Sequence, residues 1–581
     1  MPIYARAVTS AACEQCSYRE AALQRAQGRI AELTRRVAVL EDQLREALKL
    51  NELQGADLDR WRDLVESLQP NRPERVPHNE LQLAFEQVIT DLSEPAANDA
   101  LASVTTPSEQ DRRDARAARD GKESRERHRH GRRALKKSAL PVKETILDPK
   151  EVIADNGVGW ELIGAEASER VAKQRGGYFR SRVILRTWAR TGSRRVTHGV
   201  GAASDSPRVV TAEQPESVWP KAMADASAVA HVIVSKYDDS LPLHRQETIT
   251  AREGFKVARS TQCNWLETAY DATYRVVEAM AEEGLRLSEV IATDATSAPV
   301  RARGECNNWS VFVFIMEHHH MVFRHTRVHD GPSFRKMLPG FTGDLVADAA
   351  SIYAHMYRDH GMTESGDWSH MRRYFWKVIP TDRPRAMQAL GLIRELFAVE
   401  RDLADVTSEE RLQRRLDRSL PIADLFDRWI EAQRPHAGPR TPLARAIGYY
   451  LNQRDALRHF LESGRVPIHN NASEAALRKL VLGRANWMHF ENETGLKWYC
   501  TFRSLIASCE MHGLNAEQYL EQLLRVAPHW PTHRMIELSP KHWRKTVANL
   551  DDRWRRMITP PWELESNALH VEKRRVVQPA A

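Results

Sequence analysis

Three short stretches of this chain carry acids where phosphate chemistry could use them. Residues 290–294 form a β-rich run ending on Asp294, and residues 344–348 form another ending on Asp348. The third is 465–490, RVPIHNNASEAALRKLVLGRANWMHF. It opens on the extended Val466-Pro467-Ile468 and turns through His469, Asn470 and Asn471. A helix is then predicted, with Leu477, Leu480 and Val481 at core spacing and Arg478, Lys479 and Arg484 around them. Carboxylates are hard oxygen ligands suited to Mg²⁺ or Mn²⁺. A polar turn, the acid Glu474 in the first helical turn and a basic helix behind it suit a metal held against phosphate. Each acid also has a plainer reading. An Asp at a strand end is often a cap, and Asn471 followed three residues later by Glu474 is a helix N-cap signature.

The surrounding pattern supplies elements to hold these acids. Residues 309–316 (WSVFVFIM) and 321–328 (MVFRHTRV) read as two buried strands joined by a tight turn. A loop with Gly331 and Gly340 leads to the strand before Asp348. Three neighbouring strands, a fourth and then a helix is the order expected of an RNase H-like α/β core, a mixed sheet flanked by helices. The 125 residues between Asp348 and Glu474 show no strand pattern. Leu390, Ile393, Phe397 and Leu403 follow helical spacing, as do Ile422, Leu425, Phe426 and Trp429. Thr441-Pro442 starts a further helix carrying Ile447, Tyr450, Leu457 and Phe460. A helical insertion splitting the core is the consistent account.

The chain has 581 residues, room for three or four domains. A net charge of +7 suits a polyanionic partner. Six cysteines in such a length make no disulfide framework, and the lone pair Cys13 and Cys16 lacks a second pair of zinc ligands. No apolar run approaches the roughly 18 residues of a membrane span, and no apolar segment precedes Cys13 to mark export. Leu23, Ala26, Ile30, Leu33, Val37, Leu40, Leu44 and Ala47 alternate a and d positions of a heptad, and the register continues through Asn51 to Leu68. That period specifies a left-handed coiled coil and a like partner, hence a homodimer or higher homo-oligomer. Residues 112–137 hold twelve Lys or Arg against four Asp or Glu. The run is either a solvated tail or, at Arg132 and Arg133, a phosphate contact.

The stretch 465–490 resembles the Asn-Asn-x-x-Glu-Arg-x-x-Arg element of the IS66 family of transposases. Asn470, Asn471, Glu474, Leu477, Arg478, Gly483, Arg484, Asn486 and Trp487 stand in matching order. His469 replaces the family's usual Asp, and Ala475 its usual Arg. Asp294-Ala295-Thr296 resembles the first-acid motif, with Ala295 where a second acid is usual. Asp348 to Tyr353 resembles the second-acid region. Asp367-Trp368-Ser369-His370-Met371-Arg372-Arg373 resembles a motif that usually begins with Cys, whose role was structural. Further matches lie at Leu241-Pro242-Leu243, Arg245-Gln246-Glu247 and Arg259-Ser260-Thr261, and along the C-terminal segment to Trp543.

The resemblance implies a DDE transposase: Asp294, Asp348 and Glu474 would be catalytic and would hold two Mg²⁺ or Mn²⁺ ions about 3.5–4 Å apart. It implies cleavage of transposon ends, strand transfer into target DNA, a bacterial, cytoplasmic, nucleoid-associated protein, and accessory proteins from the same element. Arg478, Lys479, Arg484, Asn470, Asn471, Arg132 and Arg133 are the expected DNA contacts. The family's zinc module would fall at 142–195, but no cysteine stands there, so a metal-free β-rich remnant is expected and no zinc. The implied order is a coiled coil at 1–69, a disordered basic linker at 70–140, the remnant at 141–205 and a helical region at 206–287. In that region a turn before a helix capped by Ser260 or Thr261 permits a helix-turn-helix. The core follows at 288–490, with its insertion at about 365–464, and a helical C-terminal element at 491–581. Two rivals stay open. One is a DNA-binding protein derived from such a transposase and impaired in catalysis, and the other is a coiled-coil scaffold.

Overall fold

The computed structural model describes residues 78–91, 140–174, 176–191, 209–215, 223–302, 305–564 and 569. The heptads, Cys13 and Cys16, and the basic run with Arg132 and Arg133 lie outside them. The linker reading needs one correction, because helix α1 (His78–Asp91) falls inside it. Leu81, Ala84, Phe85 and Val88 give it an apolar stripe, and Val88 is fully buried. Gly391 receives this helix closely, since a Cβ there would meet the Leu81 carbonyl oxygen at 2.9 Å.

A first sheet follows, made of β1 (Val142–Leu147), β2 (Trp160–Gln174), β3 (Gly177–Arg190) and β4 (Val209–Thr211), with the short α2 (Lys150–Ala154) after β1. β3 is central, antiparallel to β2 and β4 and parallel to β1. Where thiolates were sought, indoles and carboxylates meet. The Trp160 indole donates to Asp155 at 2.8 Å, and the Trp188 indole donates to Asp148 at 2.6 Å. Asp148 also accepts the Leu569 N–H at 2.8 Å. Val152, Trp160, Trp188 and Val210 close a small apolar cluster beside these bonds.

Helices α3 (Ala226–Tyr237), α4 (Leu243–Arg252) and α5 (Arg259–Leu287) come next, broken at Pro242 and at Gly254, whose φ is +93°. The capping expectation fails here. α5 starts at Arg259 on Ala258 with no side-chain cap, so Ser260 and Thr261 lie within its first turn. Buried contacts fix the entry instead. The Val257 N–H donates to Thr250 Oγ1 at 3.2 Å, and the Gln262 amide donates to the Val257 carbonyl at 3.0 Å.

The second sheet has the order β7-β6-β5-β8-β9. β5 (Val290–Ala302), β6 (Glu305–Met316) and β7 (His320–Thr326) form an antiparallel meander. After α6 (Gly331–Arg335), β8 (Asp344–Val346) runs parallel to β5. After α7 (Ala354–Asp359), β9 (Thr363–Ser365) runs parallel to β8. β9 corrects the reading that no strand lies between Asp348 and Glu474. β5 also continues past Asp294 to Ala302, so that acid lies within its strand.

The inserted helices are α8 (Trp368–Trp376), α9 (Arg383–Asp402), α10 (Ser408–Arg414), α11 (Leu420–Gln433) and α12 (Pro442–Arg458), with a π-helical turn at Arg415–Ser419. Trp368, Phe426, Trp429 and Tyr450 pack at their centre. Arg415 is buried, pairs with both Glu400 oxygens (2.8 and 2.6 Å) and donates to the carbonyls of Phe460, Ser463 and Val466. That network anchors the turn entering α13 (Asn471–Trp487). α14 (Glu493–Met511) then covers the edge strand β7, where Ser504 and Ser508 accept the N–H groups of Phe323 and Met321 at 2.8 and 3.0 Å. α15 (Ala516–Val526), α16 (Pro540–Ala548) and α17 (Asp552–Ile558) complete the described chain. The architecture is α/β with mixed sheets. Among the described residues no helix is long and apolar enough to cross a membrane.

Candidate active site

Strand register brings the first two acids together. Ala292 of β5 pairs with Val346 of β8 in parallel, and Asp294 and Asp348 each stand two residues further on. Asp294 continues within β5, whereas Asp348 lies just past the end of β8. Asp294 takes one N–H, from Ala295 at 2.7 Å, and Asp348 takes that of Ala350 at 3.3 Å. Burial pushes the Asp294 carboxyl up to about 6, and the charges of Asp348 and Glu474 push the same way, against the pull of the Ala295 N–H and of His370. The charges of Asp348 and Glu474 therefore both reach Asp294.

Glu474 reaches this site from the first turn of α13. It is not the capping residue of the plainer reading. The N-cap is Asn470, without a side-chain cap, and the Glu474 carboxylate instead receives Arg373 of α8 at 3.2 and 3.4 Å. Asn470 is buried and its amide donates to the Thr293 carbonyl at 2.7 Å, next to Asp294. Its burial speaks against the expected DNA contact.

The substitution of Asp for Cys at 367 has a visible use. Asp367 is fully buried, caps α8 by accepting the Ser369 N–H at 2.7 Å, and bonds His370 Nδ1 at 2.9 Å. Burial opposes its charge, but the bonds to His370 and to the N–H groups of Ser369 and Asn470 hold it below the usual carboxylate range. That same bond to Asp367 raises His370. Among the described residues, Asp367, His370 and Glu474 bring donor atoms within 4.8 Å of one another. Asp294 and Asp348 stand outside that close set. Sequence reasoning had assigned position 367 a structural part only and left His370 and Arg373 without one. The Asp-x-x-His spacing was the available signal.

The basic residues of α13 divide. Lys479 pairs with Asp238 at 2.9 Å. Arg484 turns onto β5, bonding Ser297 and, at 3.3 Å, the Thr296 hydroxyl. Arg478 and Asn471 are exposed, and among the described residues Arg478 has no partner. The departures have quiet settings: His469 packs against Phe397 at 5.7 Å, and Ala475 is exposed.

Asp294 on β5, Asp348 just past the end of β8 and Glu474 on α13 form a cluster of carboxylates, the latter two within electrostatic reach of Asp294. Residues 221–498 match the family model described as "Transposase IS66 family". That stretch is an IS66-family transposase domain. Three relatives are uncharacterised proteins of Sinorhizobium fredii. The protein y4qI is 28% identical over 356 residues, covering 58% of this chain and 66% of its own length. The protein y4hP is 25% identical over 360 residues, covering 58% and 65%. The protein y4jD is 25% identical over 364 residues, covering 58% and 69%. The match thus spans about two thirds of each relative.

Proposed function

We propose that this protein is a DNA transposase of an IS66-like element, working through a divalent-metal DDE site on an RNase H-like core. The observation that supports the reading best is the parallel β5–β8 pairing from which both Asp294 and Asp348 follow, with the charges of Asp348 and Glu474 acting on Asp294. The donor set fits Mg²⁺ or Mn²⁺: three carboxylates are hard oxygen ligands, and the one on β5 is raised by burial and, after that, by the charges of the other two. Asp294, Asp348 and Glu474 would hold the metal, with His370 and Asp367 fixing Glu474 from behind. The metal, when bound, supplies activation of the attacking oxygen and stabilisation of the leaving one. The protein's own residues do the rest. Asn470 fixes the start of α13 to β5, and exposed Arg478 offers positive charge to the phosphate being cleaved. No covalent protein nucleophile is implied. DNA is the partner, with self-association through the N-terminal heptads.

One observation favours the impaired alternative. Arg373 already neutralises Glu474, as an arginine would in a site that no longer takes metal. Incubation of the wild type and Asp348→Ala with duplexes carrying the element's own ends, with and without Mg²⁺, separates the readings. Metal-dependent cleavage by the wild type alone supports the transposase. Binding without cleavage by either supports the alternative.

A further inference from the structure

The C-terminal end of α13 carries cationic groups that the acid site does not use. Lys236, in the last turn of α3, lies over the Trp487 ring with its ammonium 4.7 Å from the centroid. Burial pulls its pKa down to about 8, and among the described residues it has no carboxylate partner. Asp238, two residues further along the chain, is already shared by Lys479 and Arg503, each at 2.9 Å. A cation–π contact offsets only part of the cost of a desolvated ammonium. The Trp487 indole N–H is likewise buried without an acceptor. Two unpaired donors therefore share one ring. Exposed Arg245 of α4 adds a second cation beside this end of α13, reaching Asn486 at 3.4 Å. Gly483 permits the ring's position, since a Cβ there would lie 2.2 Å from the indole. Lys479, Gly483 and Asn486 fall on one helical face, which runs from the acid-site half of α13 to this end.

We propose that this end of α13 binds the phosphate backbone of DNA flanking the cleaved bond, with Lys236 and Arg245 as the phosphate contacts and Trp487 as their platform. A backbone phosphate offers acceptor oxygens and negative charge together, which is what unpaired donors on a desolvated cation lack. Thirteen helical residues from Glu474 to Trp487 span about 20 Å, roughly six nucleotides of backbone. The inference rests on the DNA-binding part of the reading above, but not on catalysis.

The test measures binding of the full chain to a mixed-sequence duplex of about 30 base pairs, in EDTA, over a range of salt concentrations. Lys236→Met keeps the stem on Trp487 and removes the charge, while Arg245→Gln changes an exposed side chain. Each should lower the slope of log K against log salt by about one and weaken binding several-fold at about 0.1 M salt. Arg534→Gln, at a residue paired with Glu537 on the C-terminal element, should change neither. Unchanged slopes in folded Lys236→Met and Arg245→Gln proteins overturn the proposal while leaving metal-dependent cleavage to be judged by Asp348→Ala. If Lys236→Met fails to fold, Arg245→Gln decides alone, and an unchanged slope there overturns it. Binding of an acidic protein in preference to duplex also overturns it.

Discussion

Asp148 and Asp294 are both acids set against β-sheets, one in the small N-terminal sheet and one in the core sheet, and their surroundings are opposite. Asp148 accepts an indole N–H, a backbone N–H and, at 3.4 Å, an arginine. Asp294 accepts one backbone N–H and otherwise faces Asp348 and Glu474. A carboxylate given donors on every side is spent on holding the fold together. One given other carboxylates is left wanting a cation. Glu283 extends the series. Burial opposes its charge too, yet hydrogen bonds from His320 and His542 outweigh it and hold it at about 2. The saturated acid sits low and the starved acid sits near 6, although both are partly buried.

The contrast breaks most visibly at the core sheet. Asp294→Asn and Glu474→Gln are predicted to lower metal-dependent strand cleavage by about 10³-fold or more, on the order of 4 kcal/mol of barrier. The melting temperature of the metal-free Asp294→Asn chain should be unchanged or higher, because its removed charge was unfavourable. Thermal melts falling as far as the activity would show that Asp294 is a structural acid like Asp148. At the other sheet the signs reverse. Asp148→Ala should cost about 3 kcal/mol, because it strands the Trp188 and Leu569 donors and leaves Arg186 short of its partner. Limited proteolysis should then open residues 142–190 first. A protein as resistant as wild type would sink the claim.

The third acid gives a pH test. His320 is fully buried, and burial pushes it down to about 4 despite the pull of Glu283. Its unfolded form takes a proton more readily, so stability is predicted to fall as pH drops from about 6.5 to 4, by about 2–3 kcal/mol. The depressed Glu283 adds a further loss between about 4.5 and 2. His320→Gln should shrink the second window, by removing one of the bonds that hold Glu283 down, and flatten the first. A denaturation midpoint whose slope is the same in both proteins there would exclude His320 as the source. The smallest effect belongs to the C-terminal segment. Removing residues 569–581 deprives Asp148 of one N–H and Arg186 of the Leu569 carbonyl, and should cost about 1 kcal/mol. Hydrogen exchange at β3 reads it directly.

What the sequence disclosed follows from how each feature is encoded. The runs before Asp294 and from Trp309 to Met316 were legible because buried strands are written in consecutive apolar residues. Thr363-Glu364-Ser365 carries no such mark, because β9 exists by backbone pairing with β8 alone. The stripe of α1 was present in Leu81, Ala84, Phe85 and Val88 but lay among Pro, Asn and charge. The three acids could be placed on their elements one at a time. Arg373 on Glu474, Asp367 against Asn470, and Asn470 on Thr293 could not, because those partners lie 101 to 177 residues apart or meet only through the fold. The capping reading of Glu474 failed for that reason. A local pattern competed with a distant arginine and lost.

α13 is fastened to β5 at both ends. Asn470 holds the Thr293 carbonyl at one end. At the other, the Phe490 N–H donates to Pro299 at 2.9 Å and the Arg301 N–H donates to Phe490 at 2.8 Å. A rod bolted twice to one beam has no hinge against it, so Glu474 and Asp294 travel as one piece and their spacing is set before any ligand arrives. Asp348 is different: it follows a strand of three residues and leads into a turn. On the reading proposed above, any adjustment to a bound metal would fall on that turn, with Asp348 as the moving jaw of a vice whose other jaw is fixed.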